Sequence, residues 1–374
     1  MDFTLTEPEL AFRAELRQFL DDHPAPTGPP SFARELEWQR TMHTGRWVAP
    51  HWPDDYGGRG SSLTEYAIYV TEIGRRAVPQ FANRVAVNMV GPTLLAHGTE
   101  EQRARHLEPI LSGAQIWCQL FSEPDAGSDL GSVTTRAESD DDDWIVTGQK
   151  VWSSMGTHAD LGVLLARTEP VDGPRGLTVM ICGMRAAGIT VRPLRQMTGD
   201  AEFAEVFLDE VRIPKRDAIG GPGQGWRVMN TTLANERGLA FPLKEQGVLT
   251  SRLHGLLARA RSGEVVLTPH ARQRLAADYT AAEILRLLNI GTLSRLNAGE
   301  DVAFRSSVTK LFWARFAQHL QDTAAVLDGP SGVAGDSATW HDLLWYRQAS
   351  IAGGTSEIQR NILGERVLGL PRDG

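Results

Sequence analysis

Small residues, hydroxyls and carboxylates crowd into two short stretches of this 374-residue chain. The first runs Phe121-Ser122-Glu123-Pro124-Asp125-Ala126-Gly127-Ser128-Asp129. The second, near the end, runs Ile351-Ala352-Gly353-Gly354-Thr355-Ser356-Glu357-Ile358-Gln359-Arg360. Neither has the apolar repeat of a core strand or a core helix. Small residues let a backbone approach a ligand closely, and runs of N–H and hydroxyl donors suit phosphates and the carbonyls of a flavin. A third stretch, Gly148-Gln149-Lys150-Val151-Trp152-Ser153-Ser154, sets an aromatic two residues before a hydroxyl. Residues two apart on a strand share a face, so Trp152 and Ser154 are predicted to point the same way. Alone, Trp152 reads as a core aromatic and the Ser-rich turns as ordinary turns. The functional reading rests on three such segments occurring together in order.

Stepping outward from these residues, the chain changes texture twice. Residues 1–115 carry apolar side chains at helical spacing, as in Leu10, Phe12, Leu16, Phe19 and Leu20. Thr99 and Gln102 sit at the spacing of a capping box and predict a helix start there. From 116 to 225 the pattern shortens to β-branched alternation, as in Trp144-Ile145-Val146-Thr147, Leu161 to Leu165, Leu177 to Ile181 and Val206-Phe207-Leu208. Turns are predicted at Asp140 to Asp143, at Asp172-Gly173-Pro174 and at Gly199-Asp200. From 226 to 374 the helical texture returns. The expected fold is therefore α+β and multidomain: an N-terminal helical domain (1–115), a central small β-barrel or sandwich (116–225) and a C-terminal helical bundle (226–374).

Composition narrows the function classes. A net charge of −8 argues against nucleic acid, which needs clustered basic residues. Only Lys150, Lys215, Lys244 and Lys310 among the 38 basic residues are lysine, which reads as genome composition rather than chemistry. Cys118 and Cys182 lie in apolar runs and are expected as buried free thiols of a reducing cytoplasm. No signal peptide or membrane span is expected, and the localisation read is cytoplasmic. The Asp140–Asp143 run lacks the Gly and terminal Glu of a calcium loop, no zinc spacing occurs, and no hydrolase elbow appears. The Gly221-Pro222-Gly223-Gln224-Gly225 run lacks dinucleotide-fingerprint spacing and is expected as a strand-to-helix turn.

The three donor-rich segments, in this order, resemble the signature regions of the acyl-CoA dehydrogenases, flavoenzymes that desaturate acyl thioesters between the α and β carbons. The resemblance implies FAD held between the β region and the C-terminal bundle, an acyl-CoA thioester as substrate, and an electron-transfer flavoprotein or similar acceptor as partner. By the same resemblance, Phe121 and Ser122 present backbone and hydroxyl groups to the pyrimidine edge of the flavin. Gly127 and Ser128 lie beside the pyrophosphate and the thioester, Trp152 packs on the ring, and Ser154 stands near N5, where the family more often has Thr. Thr355 and Glu357 complete the site around the ribityl and adenosine portions. Many members carry the catalytic carboxylate immediately before the Gly-Thr of the C-terminal signature, where this chain has Gly353. Members acting on branched, long-chain or steroid-derived thioesters place a Glu directly before an Arg on the first helix after the β region. Leu233-Ala234-Asn235-Glu236-Arg237-Gly238 has that order. The resemblance therefore implies Glu236 as general base, the Gly353 N–H as a donor to the thioester carbonyl, and Arg237, with Ser128, on the substrate side. In an unknown fold, Glu236 and Arg237 would instead be a solvated helix pair.

Two departures bear on assembly. The family's Arg-x-x-Phe-Gly element, expected at the start of the second C-terminal helix, is missing around Ala258-Arg259-Ala260-Arg261-Ser262-Gly263-Glu264. The Gln of a second FAD-contacting turn is missing at Val326-Leu327-Asp328-Gly329-Pro330-Ser331-Gly332. A dimer or tetramer with chains of the same fold is expected, homo- or hetero-oligomeric, with a degenerate partner completing the flavin site in the hetero case. The sequence leaves open a flavin monooxygenase on the same fold, a non-catalytic partner subunit, and a dehydrogenase of carrier-protein thioesters.

Overall fold

A computed structural model describes residues 4–76, 78–171, 173–236, 240–300, 302–335 and 337–371. Five helices come first: α1 (Glu7–Asp22), α2 (Phe32–Thr44), α3 (Leu63–Arg75), α4 (Gly91–His97) and α5 (Glu100–Ser112). The strands follow as β1 (Trp117–Leu120), β2 (Arg136–Asp140), β3 (Asp143–Ser154), β4 (Leu161–Arg167), β5 (Leu177–Gly183), β6 (Ile189–Leu194), β7 (Phe203–Pro214) and β8 (Ala218–Ile219). The C-terminal helices are α6 (Gly225–Glu236), α7 (Ala240–Ser262), α8 (Pro269–Asn297), α9 (Ala303–Asp328), α10 (Ala338–Trp345) and α11 (Ser356–Ile362). This is the expected helical, β and helical order.

The chain forms two compact units. One contains residues 1–22, 61–78 and 237–374; the other contains 23–60 and 79–236. In the first, α7, α8 and α9 bury Leu249, Leu253, Leu275, Trp313 and Leu320 in one apolar cluster. Helix α1 turns Phe12, Leu16 and Leu20 inward, as its spacing predicts, while Leu10 remains 36% exposed. The Arg17 guanidinium binds buried Glu72 of α3 through two hydrogen bonds, at 2.9 and 2.7 Å.

In the second unit the strands join one eight-stranded sheet in the order β6-β7-β3-β2-β4-β5-β8, with β1 pairing parallel to β4. Alternate residues of β2, β3, β4 and β7 meet in a common core with Cys118, Met180 and Cys182. Both cysteines are free and buried, and burial pushes the Cys182 thiol up to about 12. The predicted turns at Asp140–Asp143 and Gly199-Asp200 are present, the first as a two-residue hairpin; Asp172 of the third lies outside the described residues. Thr99 and Gln102 make the predicted capping box of α5. The Gly221–Gly225 run is the turn from β8 into α6, as expected.

Candidate active site

The first donor-rich segment leaves β1 at Leu120 and runs over the sheet to a short turn at Leu130–Ser132. Phe121 is 2% exposed, and its carbonyl accepts from Lys150 Nζ at 3.0 Å. The loop is fastened to β3 by Val151 N–H donating to Ser122 O at 2.9 Å, and it closes on itself through paired bonds between Glu123 and Ala126. Gly127 and Ser128 are exposed. A Cβ placed on Gly127 would meet nothing within 4 Å, so protein packing does not account for this glycine. An open backbone of this kind leaves room for a ligand to approach closely.

Strand β3 reaches the site through an irregularity that the alternation does not reveal. Its pairing with β7 slips between Lys150 and Ser153, and Trp152 in that slip has a left-handed backbone, φ 59°. A bulky residue in this region is strained, and such strain gathers where a side chain must be re-aimed. The result is a Trp152 that is 60% exposed while Ser153 is buried and Ser154 half-buried. Trp152 is therefore not a core aromatic. Its ring meets Phe203 edge-on, centroids 5.9 Å apart, and at 60% exposure much of the indole is open.

Glu236 is the last residue of α6. Its side chain and all of Arg237 lie outside the described residues. What the structure does show is how α6 is seated. Thr232 and Thr93 of α4, both buried, share a 2.9 Å hydrogen bond, and Thr231 bonds the His97 ring at 2.8 Å. Helix α4 follows a π-turn at Ala86–Val90, a local widening common at functional sites. The region 85–97 is thereby tied to the helix that ends in Glu236. Nothing in the spacing of Thr93 and Thr232 announced this.

In the helical unit the second signature follows a short 3₁₀ turn, Tyr346–Ser350. Gly353 and Gly354 are both left-handed, φ 66° and 91°, and Gln359 donates back to Gly353 O at 3.5 Å. Thr355 caps α11 by accepting from Ile358 N–H at 3.2 Å, and its hydroxyl also bonds the Glu357 carboxylate. Glu357 pairs with Arg360 at 3.0 Å on the exposed side of the same turn. Its carboxyl is held below the usual range, first by its own backbone N–H and then by Arg360.

One expectation of placement is corrected. The stretch Ala258–Glu264 stands at the C-terminal end of α7, not at a helix start. There Arg259 is engaged within its own chain, by Glu264 and by Asp328, both at 2.6 Å, and Asp328 also accepts from Thr339. The helix runs on past the expected position, with no proline after Pro242 and with Gly247 and Gly255 accommodated inside it.

The donor set fits a flavin in kind. An exposed indole face, a glycine that packing does not require, and hydroxyls at Ser122 and Ser128 are what a ring and a pyrophosphate would use. Comparison with known proteins agrees with this chemistry. Residues 6–114, 118–211 and 223–368 match the N-terminal, middle and C-terminal domains of acyl-CoA dehydrogenase. Acyl-CoA dehydrogenase IpdE1 of Mycobacterium tuberculosis is 36% identical over 379 residues, covering 97% of this chain and 98% of that protein. Among solved structures, the Tcur3481-Tcur3483 steroid ACAD superposes with a TM-score of 0.87 at 29% identity over the full length of both chains. The ChsE4-ChsE5 complex from Mycobacterium tuberculosis does so with a TM-score of 0.83 at 27% identity, again over the full length of both chains.

The chain belongs to the acyl-CoA dehydrogenase family. It is an oxidoreductase of the acyl-CoA dehydrogenase class, in a family of FAD-binding flavoproteins of lipid or steroid metabolism. Among the described residues no helix is long and apolar enough to cross a membrane.

Proposed function

We propose that this chain desaturates an acyl-CoA thioester between the α and β carbons, with Glu236 removing the α proton. The observation that carries the reading is the pair of changes at two places: a glycine with φ 66° at position 353, and a Glu ending the helix that Thr93 and Thr232 anchor beside the 85–97 region. FAD, when bound, supplies the acceptor for the β hydride at N5. Phe121, Ser122, Gly127, Ser128, Trp152, Ser154, Thr355 and Glu357 are the residues that would hold it. Arg237 orients Glu236 by a charge-assisted bond, and the Gly353 N–H donates to the thioester carbonyl as charge builds there. Ser128 contacts the thioester end of the substrate.

The substrate class we favour is bulky: a branched or steroid-derived acyl group. The full-length likeness to the Tcur3481-Tcur3483 steroid ACAD supports this, as does the position of the base. Two-chain naming of that protein and of the ChsE4-ChsE5 complex supports a heteromeric assembly with this chain as the catalytic member. The engagement of Arg259 and Asp328 with each other supports it too, since neither is then turned toward a neighbour's cofactor. We further read the chain as three regions, 1–115, 116–225 and 226–374, working in the cytoplasm and passing electrons to an electron-transfer flavoprotein or similar acceptor.

The test is anaerobic bleaching of the bound flavin by a panel of acyl-CoA thioesters, wild type against Glu236→Gln. General-base removal slows such a step by about 10²–10⁴-fold, so the variant should bind thioester and bleach at least a hundredfold more slowly. Equal bleaching removes Glu236 from the role. Bound flavin that no thioester bleaches, with oxygen consumed instead in air, favours a monooxygenase.

A further inference from the structure

A chain that uses arginine for nearly every cation keeps lysine at Lys150, in the strand beside the flavin-directed segment. Lys150 is 0% exposed. Its ammonium donates to Phe121 O at 3.0 Å and to Glu123 Oε1 at 2.8 Å. Glu123, 6% exposed, accepts in turn from Thr135 N–H at 2.9 Å, and from Thr134 N–H and hydroxyl at 2.7 and 2.8 Å. With Val151 N–H on Ser122 O, the backbone on both sides of Ser122 is pinned to β3, and the Glu123 side chain pins the far end of the loop at the entrance to β2. An arginine's bulkier, planar five-donor fork does not suit an enclosed site that takes one compact ammonium. Lysine here is chemistry, not composition.

The environment shows that the pair is kept at a cost. Burial lowers the Lys150 ammonium to about 8 even with Glu123 beside it. Burial also works against ionised Glu123, but the Lys150 charge and the Thr135 and Thr134 hydrogen bonds outweigh it and hold that carboxyl at about 2. A buried ion pair is seldom a net gain over apolar packing, so the reason to retain one is the geometry it enforces.

We propose that Lys150 and Glu123 are positioning residues: together they hold the 121–128 backbone in its ligand-ready shape before FAD arrives, so that binding does not have to order the loop. This rests on the flavin reading given above. Neither side chain is assigned contact with cofactor or substrate; both act through the loop. Holding a loop in its bound shape raises affinity by removing the ordering cost from the binding step.

The experiment compares wild type, Lys150→Met and the double variant Lys150→Met/Glu123→Gln. Hydrogen–deuterium exchange is read on flavin-free protein, and FAD is titrated by the quenching of its fluorescence. The single variant strands a carboxylate inside and unfolds readily. The double variant removes both charges and so leaves no unpaired charge buried, and wild-type exchange in β4 and β5 is the check that it folds. In the double variant, amides of 121–128 should exchange about tenfold or more faster while β4 and β5 exchange at wild-type rates. FAD should then bind about tenfold or more weakly. Wild-type exchange in the loop with unchanged FAD affinity overturns the inference. Acceleration spread evenly over the whole sheet overturns it as well, because the pair is then only a stabiliser. Loop-confined acceleration in a protein whose wild type takes up no FAD sustains the pinned loop and defeats the flavin reading instead.

Discussion

The two donor-rich segments are held in place by different chemistry, although each has a buried lysine behind it. In the β region Lys150 meets a full charge, Glu123, and the loop between β1 and β2 is fixed by ionic bonds at its root. In the helical unit Lys310, 7% exposed, donates to Ala349 O at 2.8 Å just before the 351–360 signature. Gln318, two turns further along α9, reaches Tyr346 O, Arg347 O and the Ser350 hydroxyl at 3.4, 3.3 and 3.2 Å. Those acceptors are neutral. Around the first segment the described bonds include a full ion pair, and around the second they run to neutral acceptors, with two left-handed glycines. A segment pinned by charge fails abruptly when one partner goes; a segment pinned by neutral bonds loosens by degrees.

The largest expected effect follows from that contrast. Lys150→Met leaves Glu123 ionised in the interior and should cost about 3–5 kcal/mol in denaturant unfolding. Lys310→Met leaves Ala349 O without this donor and should cost about 1–3 kcal/mol. Equal losses would break the distinction. Acid sharpens it. The Glu123 carboxyl is held at about 2, below its ordinary 4.5, so the unfolded chain takes up the proton first. Stability from this group is complete above about pH 4.5 and is lost as pH falls toward 2. The gap in unfolding midpoint between wild type and Glu123→Gln should therefore shrink steadily on acidification through that window. An unchanged gap would mean that Glu123 is not ionised and paired in the folded protein.

The same contrast explains what could be read from the chain before any coordinates. The helical, β and helical order was legible because periods of about 3.6 and 2 are local properties, and so was the capping box at Thr99 and Gln102. The donor-rich segments were legible because composition alone sets them apart. The anchors were not. Lys150 and Glu123 are 27 residues apart, and Thr93 and Thr232 are 139 apart. Only the folded sheet and helices bring such pairs together. The scarcity of lysine, four among 38 basic residues, is a usable signal. The left-handed turn of β3 at Trp152 was hidden for another reason: a strand bulge adds one residue without any compositional mark, so alternation counts straight through it.

A smaller effect separates the glycines of the two segments. Gly354 has φ 91°, and a Cβ there would lie 2.6 Å from Gln359 Nε2, so Gly354→Ala should cost about 1–3 kcal/mol in unfolding. Gly127 has no atom within 4 Å of its would-be Cβ. Gly127→Ala should then leave stability within about 0.5 kcal/mol of wild type, as for a surface change. If a cofactor lies against that backbone, FAD affinity should nevertheless fall. Retained affinity in Gly127→Ala would show that the glycine is free of both protein and ligand, and would remove it from the site.

Trp152 gives the smallest expected change in stability and the sharpest separation of structure from function. Its left-handed backbone carries strain that glycine would relieve, worth about 1 kcal/mol or somewhat more. Its loss would cost the edge-on contact with Phe203, worth about 0.5–1.5 kcal/mol beyond area burial. With the side chain 60% exposed, little apolar burial is forfeited, and the two effects nearly cancel. Trp152→Gly should therefore unfold close to wild type. An indole used as a platform for a flavin ring would be missed at once, as weaker FAD binding and an altered flavin absorbance band. If the variant is instead clearly less stable and binds FAD normally, the residue serves the sheet rather than the cofactor, and the strain at the bulge needs another explanation.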